Sequence, residues 1–254
     1  MAVDALFTSL LSPMVLLFFV GIIARVVKSD LAFPEGLYAS LTMYLLLAIG
    51  LKGGYKLSHT PFSEFFLPGL AAVTLGILIP IVSYIILRTA GKFSVVDAAA
   101  LAAHYGSVSA VTFAEAIAFH DNMHIPYEGF MPSLLTVMEV PAIIVAIALA
   151  RFILRRGSTA PSGTGGLMKE LLGGKSSLLL LAGLAVGYVS GEKGWSQVSP
   201  FFDTPFRGIL ALFLLEAGIV TAERFRDLRS VGAFLAVFGI VMPVVNGTAG
   251  ILLG

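Results

Sequence analysis

The chain has no cysteine among its 254 residues. That excludes a disulfide framework, a thiolate nucleophile and a Cys-based metal site. Charge is scarce as well: 12% of residues are Asp, Glu, Lys or Arg, about half the share usual in soluble domains. Four histidines (59, 104, 120, 124) fall at spacings that match no metal motif, and no motif indicates a nucleotide or metal cofactor. The formal net charge of +1 gives no footprint for a nucleic acid, and none is expected as a partner. What is abundant is apolar: 57% of residues are hydrophobic and the mean hydropathy is +0.96. Such a chain suits the lipid bilayer, not a water-soluble fold.

Eight apolar segments are long enough, or nearly so, to cross a bilayer at about 20 residues each. They lie near 12–27, 33–51, 65–88, 95–119, 131–154, 167–190, 206–222 and 231–254. The first has no positive stretch before it and no small-residue cleavage site after it, so it reads as a retained helix and not a signal peptide. The expected fold class is an all-α polytopic membrane protein.

The connections between these segments alternate in charge. One set carries twelve Lys and Arg (25, 28, 88, 92, 151, 155, 156, 169, 175, 224, 226, 229); the other carries four, Lys52, Lys56, Lys193 and Arg207. By the positive-inside rule the first set is cytoplasmic and the N-terminus lies outside, in a multi-pass protein of the cell (inner) membrane. The stretch His120–His124 has no Lys or Arg, which fits an outside loop. The longest connector, 157–174, is rich in Gly, Ser, Thr and Pro. Its composition is that of a solvated linker, or of a docking site for a soluble regulator. It divides the chain into a first unit of five helices, 1–156, and a second of three, 175–254.

The fourth segment, 95–119, is interrupted by Gly106-Ser107-Val108-Ser109. In hydrocarbon an opened helix survives only where it lines a protein-enclosed cavity, and such a break marks a transporter binding site. The same residue types also serve as a small-residue packing stripe, and both readings stand. If the helix breaks near Gly106, a half-helix beginning about Ala110 presents its N-terminus at the midplane. A helix N-terminus carries roughly +0.5 charge and several free amides, which suits a small anion. Ser107, Ser109 and Thr112 add hydroxyls that can donate to an anion or accept sodium, a hard cation that prefers oxygen ligands.

A repeat spans the linker. Gly76-Ile77-Leu78-Ile79-Pro80 matches Gly239-Ile240-Val241-Met242-Pro243; Gly50-Leu51 matches Gly218-Ile219; Pro34-Glu35-Gly36 matches Pro205-Phe206-Arg207-Gly208. The offsets are 163, 168 and 171 residues, in the same order. Five helices separate the matched pairs, and an odd number reverses membrane direction, so the halves read as inverted repeats of a secondary transporter. A counterpart of the Gly106 break would follow Pro243 near position 270, beyond Gly254. The expectation is that the sequence is truncated and lacks a ninth and tenth helix; a natural eight-helix protein is the alternative.

These residues resemble the sodium-dependent bicarbonate permease family (SbtA-type bicarbonate transporters). The likeness rests on Val96-Asp97-Ala98, Gly106-Ser107-Val108-Ser109-Ala110-Val111-Thr112, Met138-Glu139-Val140-Pro141-Ala142, Phe206-Arg207-Gly208-Ile209-Leu210 and Leu228-Arg229-Ser230-Val231. It implies ten helices in two inverted five-helix repeats, arranged as a core and a gate domain, usually in a homotrimer. It also implies sodium-coupled bicarbonate uptake and a PII-like regulator docking from the cytoplasm. The substrate and ion site then falls on Gly106, Ser107, Ser109, Ala110 and Thr112, with sodium at Ser107, Ser109 and Thr112 and Ser109 as the central ligand. Two positions depart from the family: Ala110 stands for a glycine and Val111 for a serine, which leaves another small anion or carboxylate open as the substrate.

Buried ionisable residues in a bilayer usually have a function or a partner. Glu139, before Pro141, is a candidate for coupling or gating, or a hydrogen-bonding group at the proline kink. Glu115 lies beyond the break and Glu216 deep in the seventh segment; both are gating candidates. His104 is expected as a satisfied buried histidine, and Asp97 as the cap of the fourth segment. An enzyme would need Ser107 or Ser109 beside His104 with no carboxylate placed to orient it, so no enzymatic role is expected. A structural or signalling membrane protein of transporter-like fold is the other alternative.

Overall fold

The computed structural model describes residues 11–34, 36–154 and 174–253. Among them are nine α-helices and no strand: α1 Pro13–Val26, α2 Leu37–Ser58, α3 Phe62–Thr89, α4 Val95–Gly106, α5 Ala110–Asn122, α6 Met131–Leu154, α7 Lys175–Phe202, α8 Phe206–Glu223 and α9 Phe225–Leu253. The protein is all-helical, with several helices able to span a membrane. By length and composition α2, α3 and Gly232–Leu253 each qualify alone, and α7 with α8 qualifies as a pair bent by 46°. Nearly all of the 157–174 linker lies outside the described residues.

Several boundaries differ from the sequence expectation. The second segment continues to Ser58 and the sixth to Phe202, so Lys52, Lys56 and Lys193 sit within helices and not in loops. For the first two, the physical reason is that their charges find company at one end of the bundle. Lys52 Nζ pairs with Asp203 at 2.7 Å, and Lys56 lies over the Tyr55 ring. Tyr55 in turn donates to Glu192 at 2.6 Å and stacks on Trp195. α7 changes direction at Gly191, whose φ of 55° falls in the left-handed region that suits glycine. At α4 the cap is Ser94, not Asp97: the Ser94 hydroxyl accepts from the Asp97 N–H at 3.1 Å and donates to its carboxylate. The acidic residue lies in the first turn, where its charge suits the helix N-terminus. α5 continues to Asn122, so His120 and Asp121 are helical, not part of a loop.

The helices form two groups. In the first, α2 lies along α7 and α1 along α8. Both crossings are backbone-on-backbone. A Cβ on Gly54 would lie 2.0 Å from the Leu184 carbonyl oxygen, and one on Gly187 2.2 Å from that of Leu51. At the other crossing, Gly21 meets the Leu215 carbonyl at 2.1 Å and Gly218 that of Phe18 at 2.1 Å. Lipid tails are as apolar as leucine, so helices in a bilayer associate through this close packing and not through apolar burial. Arg25 and Glu223 tie α1 to α8 at 3.2 Å, at the end opposite Lys52.

The second group is α3, α4 and α6. α9 joins it through Phe238 and Met242, which pack on Tyr84, Leu87, Ala98 and Ala102. The two groups meet where α2 crosses α6: the buried Ser133 hydroxyl donates to the Gly53 carbonyl at 2.8 Å. α5 leaves the second group and leans on the first. Its Ala114 and Ala118 pack with Met14, Leu41, Leu45, Leu210 and Phe213.

Candidate substrate and ion site

The interruption expected in the 95–119 segment is a true break. α4 ends at Gly106 and α5 begins at Ala110. Ser107 is extended (φ −88°, ψ 136°) and Ser109 likewise (φ −66°, ψ 119°). The Ser109 hydroxyl accepts a hydrogen bond from the Thr112 N–H at 3.3 Å, and its carbonyl accepts from Phe113 at 2.9 Å. The amides of Ala110 and Val111, in the first turn, have no intrahelical carbonyl to meet. On the other side of the break, the last carbonyls of α4 point toward the same gap, with the opposite sign of helix dipole.

Pro80 and Ala142 close on Gly106 at the break. Gly106 is buried: a Cβ there would lie 2.7 Å from Pro80 Cδ and 2.8 Å from Ala142 Cβ. Gly76, one turn before Pro80, would bring a Cβ to 3.0 Å from the Met138 carbonyl oxygen. Pro80 and Pro141 sit inside α3 and α6, where each removes one rung of the helical ladder. The repeat element Gly76–Pro80 is therefore the surface against which α4 ends. Gly106→Ala will shift the break, because the added Cβ meets a proline ring and the backbone-fixed Ala142 Cβ. Overpacking of about 1–3 kcal/mol should lower its melting temperature by about 2–12 °C. A thermal-shift measurement beside the parent protein checks this.

The structure brings Glu139 to the break. It is 7% exposed, and the Ser107 side chain is close to its carboxyl. Ser109 and Thr112 are exposed. A cavity of about 570 Å³ opens beside the break, between α3, α6 and the end of α9, lined by Val108, Phe113, Leu75, Met138 and Leu253 among others.

The remaining candidates stand apart from this cluster. Glu115 Oε1 is buried without a hydrogen-bond partner, as is Glu216 Oε2; the first is on α5 and the second on α8, away from the α3–α4–α6 cradle. Among the described ion pairs none includes Glu216. His104 is exposed, not buried, and its Nδ1 meets the Ala100 carbonyl at 2.9 Å. Among the described residues no group of three His, Asp or Glu could hold a metal ion.

A polar cluster at the Lys52 end was not legible in the sequence. Arg207 Nη2 bonds Asp121 Oδ2 at 2.8 Å, and the Tyr127 hydroxyl donates to Asp121 Oδ1 at 3.1 Å. Burial, then the bond to Asp121, holds the Tyr127 phenol above its ordinary pKa. Arg207 and Asp121 are 86 residues apart and Lys52 and Asp203 are 151 apart; only the lack of basic residues in 120–124 hinted at it.

An all-helical membrane protein whose fourth apolar segment is broken at mid-length, against proline-bearing helices, has the form of a transporter. The family comparison agrees: residues 13–254 match the Na+-dependent bicarbonate transporter superfamily, and the chain belongs to it. No curated relative matches the chain.

Proposed function

We propose that this protein is a secondary active transporter that couples sodium to uptake of bicarbonate through the break at 107–109. The observation that carries the reading is the pair of facing helix ends, with Ser109 capping one and Glu139 beside Ser107 at the other. The α5 end supplies free N–H groups and a positive half-dipole, which suit a small anion. The α4 end supplies carbonyl oxygens and a negative half-dipole, and the Ser107 hydroxyl and Glu139 carboxylate lie with it. Those are oxygen ligands for a hard monovalent cation. Discontinuous transporter helices divide anion and cation in this way.

Sodium bound at the α4 end then raises the affinity for the anion at the α5 end, since opposite charges a few ångströms apart in a low dielectric attract strongly. By linkage the anion raises sodium affinity by the same factor. Ser107, Ser109 and Thr112 serve the ions, and Gly106 and Ala110 set the helix ends close together. Ala110 and Val111, which replace a glycine and a serine of the family, leave Ser109 as the hydroxyl nearest the free amides.

The two crossings α2–α7 and α1–α8 support the inverted repeat. Gly50 meets Gly183 in one, Gly218 meets Phe18 and Gly21 in the other, and the matched positions Gly50 and Gly218 have equivalent places. The sidedness follows the charge alternation, with the Lys52 and Arg207 end outside. A homotrimer and a PII-like regulator at 157–174 belong to the same reading.

Ser109→Ala tests it. The cap is lost, at about 1 kcal/mol, and so is one ligand hydroxyl. Sodium-dependent uptake of labelled bicarbonate in cells should fall at least tenfold. Unchanged uptake overturns the assignment of the site.

A further inference from the structure

A second cavity, of about 290 Å³, lies at the Lys52 end between α5 and the α1–α2–α8 group, lined by Ile49, Lys52, Phe113, Ala118, Asp121 and Arg207 among others. Two ion pairs stand on its rim, and they differ in what they join. Lys52–Asp203 links α2 to the turn between α7 and α8, within one group of helices. Arg207–Asp121 links α8 to α5, and α5 is the half-helix whose other end forms the break. Asp121 is fixed on both oxygens, by Arg207 and by Tyr127, whereas Lys52 occupies Asp203 and so leaves Arg207 to Asp121.

We infer that the Arg207–Asp121 pair is a latch across the outer mouth, holding α5 against α8 and closing the 290 Å³ vestibule from outside. The inference rests on the transport reading above for its direction. In the apolar contact beneath the latch, the α5 side is small: Ala114 and Ala118 meet Met14, Leu45 and Leu210 of the facing helices. The alanines put no long side chain between those of the other helices, so α5 can slide once the pair parts. Both charged side chains are about half exposed, 57% for Arg207 and 42% for Asp121, so solvent screens the pair. It biases an equilibrium between closed and open mouths without freezing it. Glu115, whose buried Oε1 has no hydrogen-bond partner, lies on the same half-helix, nearer the break.

The absence of cysteine makes the test direct. Ala118→Cys places a single thiol at a position 4% exposed on the cavity wall, one turn below Asp121. Its rate of modification by a membrane-impermeant methanethiosulfonate added outside cells reads access without requiring flux. Adding Arg207→Gln should raise that rate at least threefold, and the swap Asp121→Arg with Arg207→Asp should return it toward the parent value. An unchanged rate in Arg207→Gln overturns the latch. So does a raised rate that the swap fails to lower, because packing and not the ion pair would then close the mouth. Acceleration seen only with reagent on the cytoplasmic side overturns it too. If uptake is absent while the outer rate moves as expected, the transport reading fails and the latch stands.

Discussion

Gly54→Val and Gly187→Val will each unfold the α2–α7 pair at temperatures where the parent protein is intact. In detergent we expect a melting temperature lower by about 6–12 °C, or no monodisperse protein at all. An added Cβ would sit 2.0 Å or 2.2 Å from a carbonyl oxygen of the facing helix, closer than any packed carbon tolerates. Neither obstacle is the tip of a flexible side chain; each is backbone, so the helices must part along their length. Overpacking costs typically about 1–3 kcal/mol and occasionally more, and contacts between two main chains belong at the upper end. About 3 kcal/mol converts to the stated shift for a protein of this size. Gly208→Ala is the control, because nothing lies within 4 Å of a Cβ there. Equal melting temperatures for Gly187→Val and Gly208→Ala would show that α2 and α7 are held by something other than their glycine contact.

On the proposed reading, Glu139→Gln will raise the sodium concentration needed for half-maximal uptake by about 10- to 150-fold. Gln keeps the shape, so the fold around Pro141 should survive. What is lost is a negative charge next to the α4 carbonyl end. A hydrogen bond or ligand contact to a charged group contributes about 1.5–3 kcal/mol, which gives that range of affinity. The readout is a sodium titration of bicarbonate uptake at saturating anion, beside a thermal melt. A reduced melting temperature with an unmoved sodium dependence would make Glu139 a hydrogen-bonding group at the Pro141 kink, the other role open to it. Ser107→Ala should show a smaller shift in the same direction, since it removes a neutral oxygen.

The position of the break was readable because it is a local property. Gly, two serines and a small apolar residue inside an apolar run offer the backbone few reasons to stay helical, and Ser109 is a good N-cap for the half-helix that begins at Ala110. The helical, membrane-spanning type was readable for a similar reason: a bilayer demands about 20 apolar residues per crossing, and that demand is written along the chain. Helix ends were less so. Lys52, Lys56 and Lys193 read as loop residues, yet α2 and α7 carry them, because Asp203 and Tyr55 give the first two partners. Asp97 read as a cap, and Ser94 holds that place.

By itself, then, the sequence determined an all-helical membrane protein, its family, and a broken fourth segment with its polar residues. Hydrophobic length and local backbone preference act within a few residues of one another and need no tertiary partner. Only the folded chain decided that Gly106 is wedged between Pro80 and Ala142. It alone brought Glu139 to Ser107 and left Glu115 and Glu216 elsewhere, and it paired Arg207 with Asp121 across 86 residues. Those contacts depend on which faces two helices turn to each other. That choice is made by carbonyl-to-glycine packing at the crossings, where a fraction of an ångström decides whether two backbones can touch.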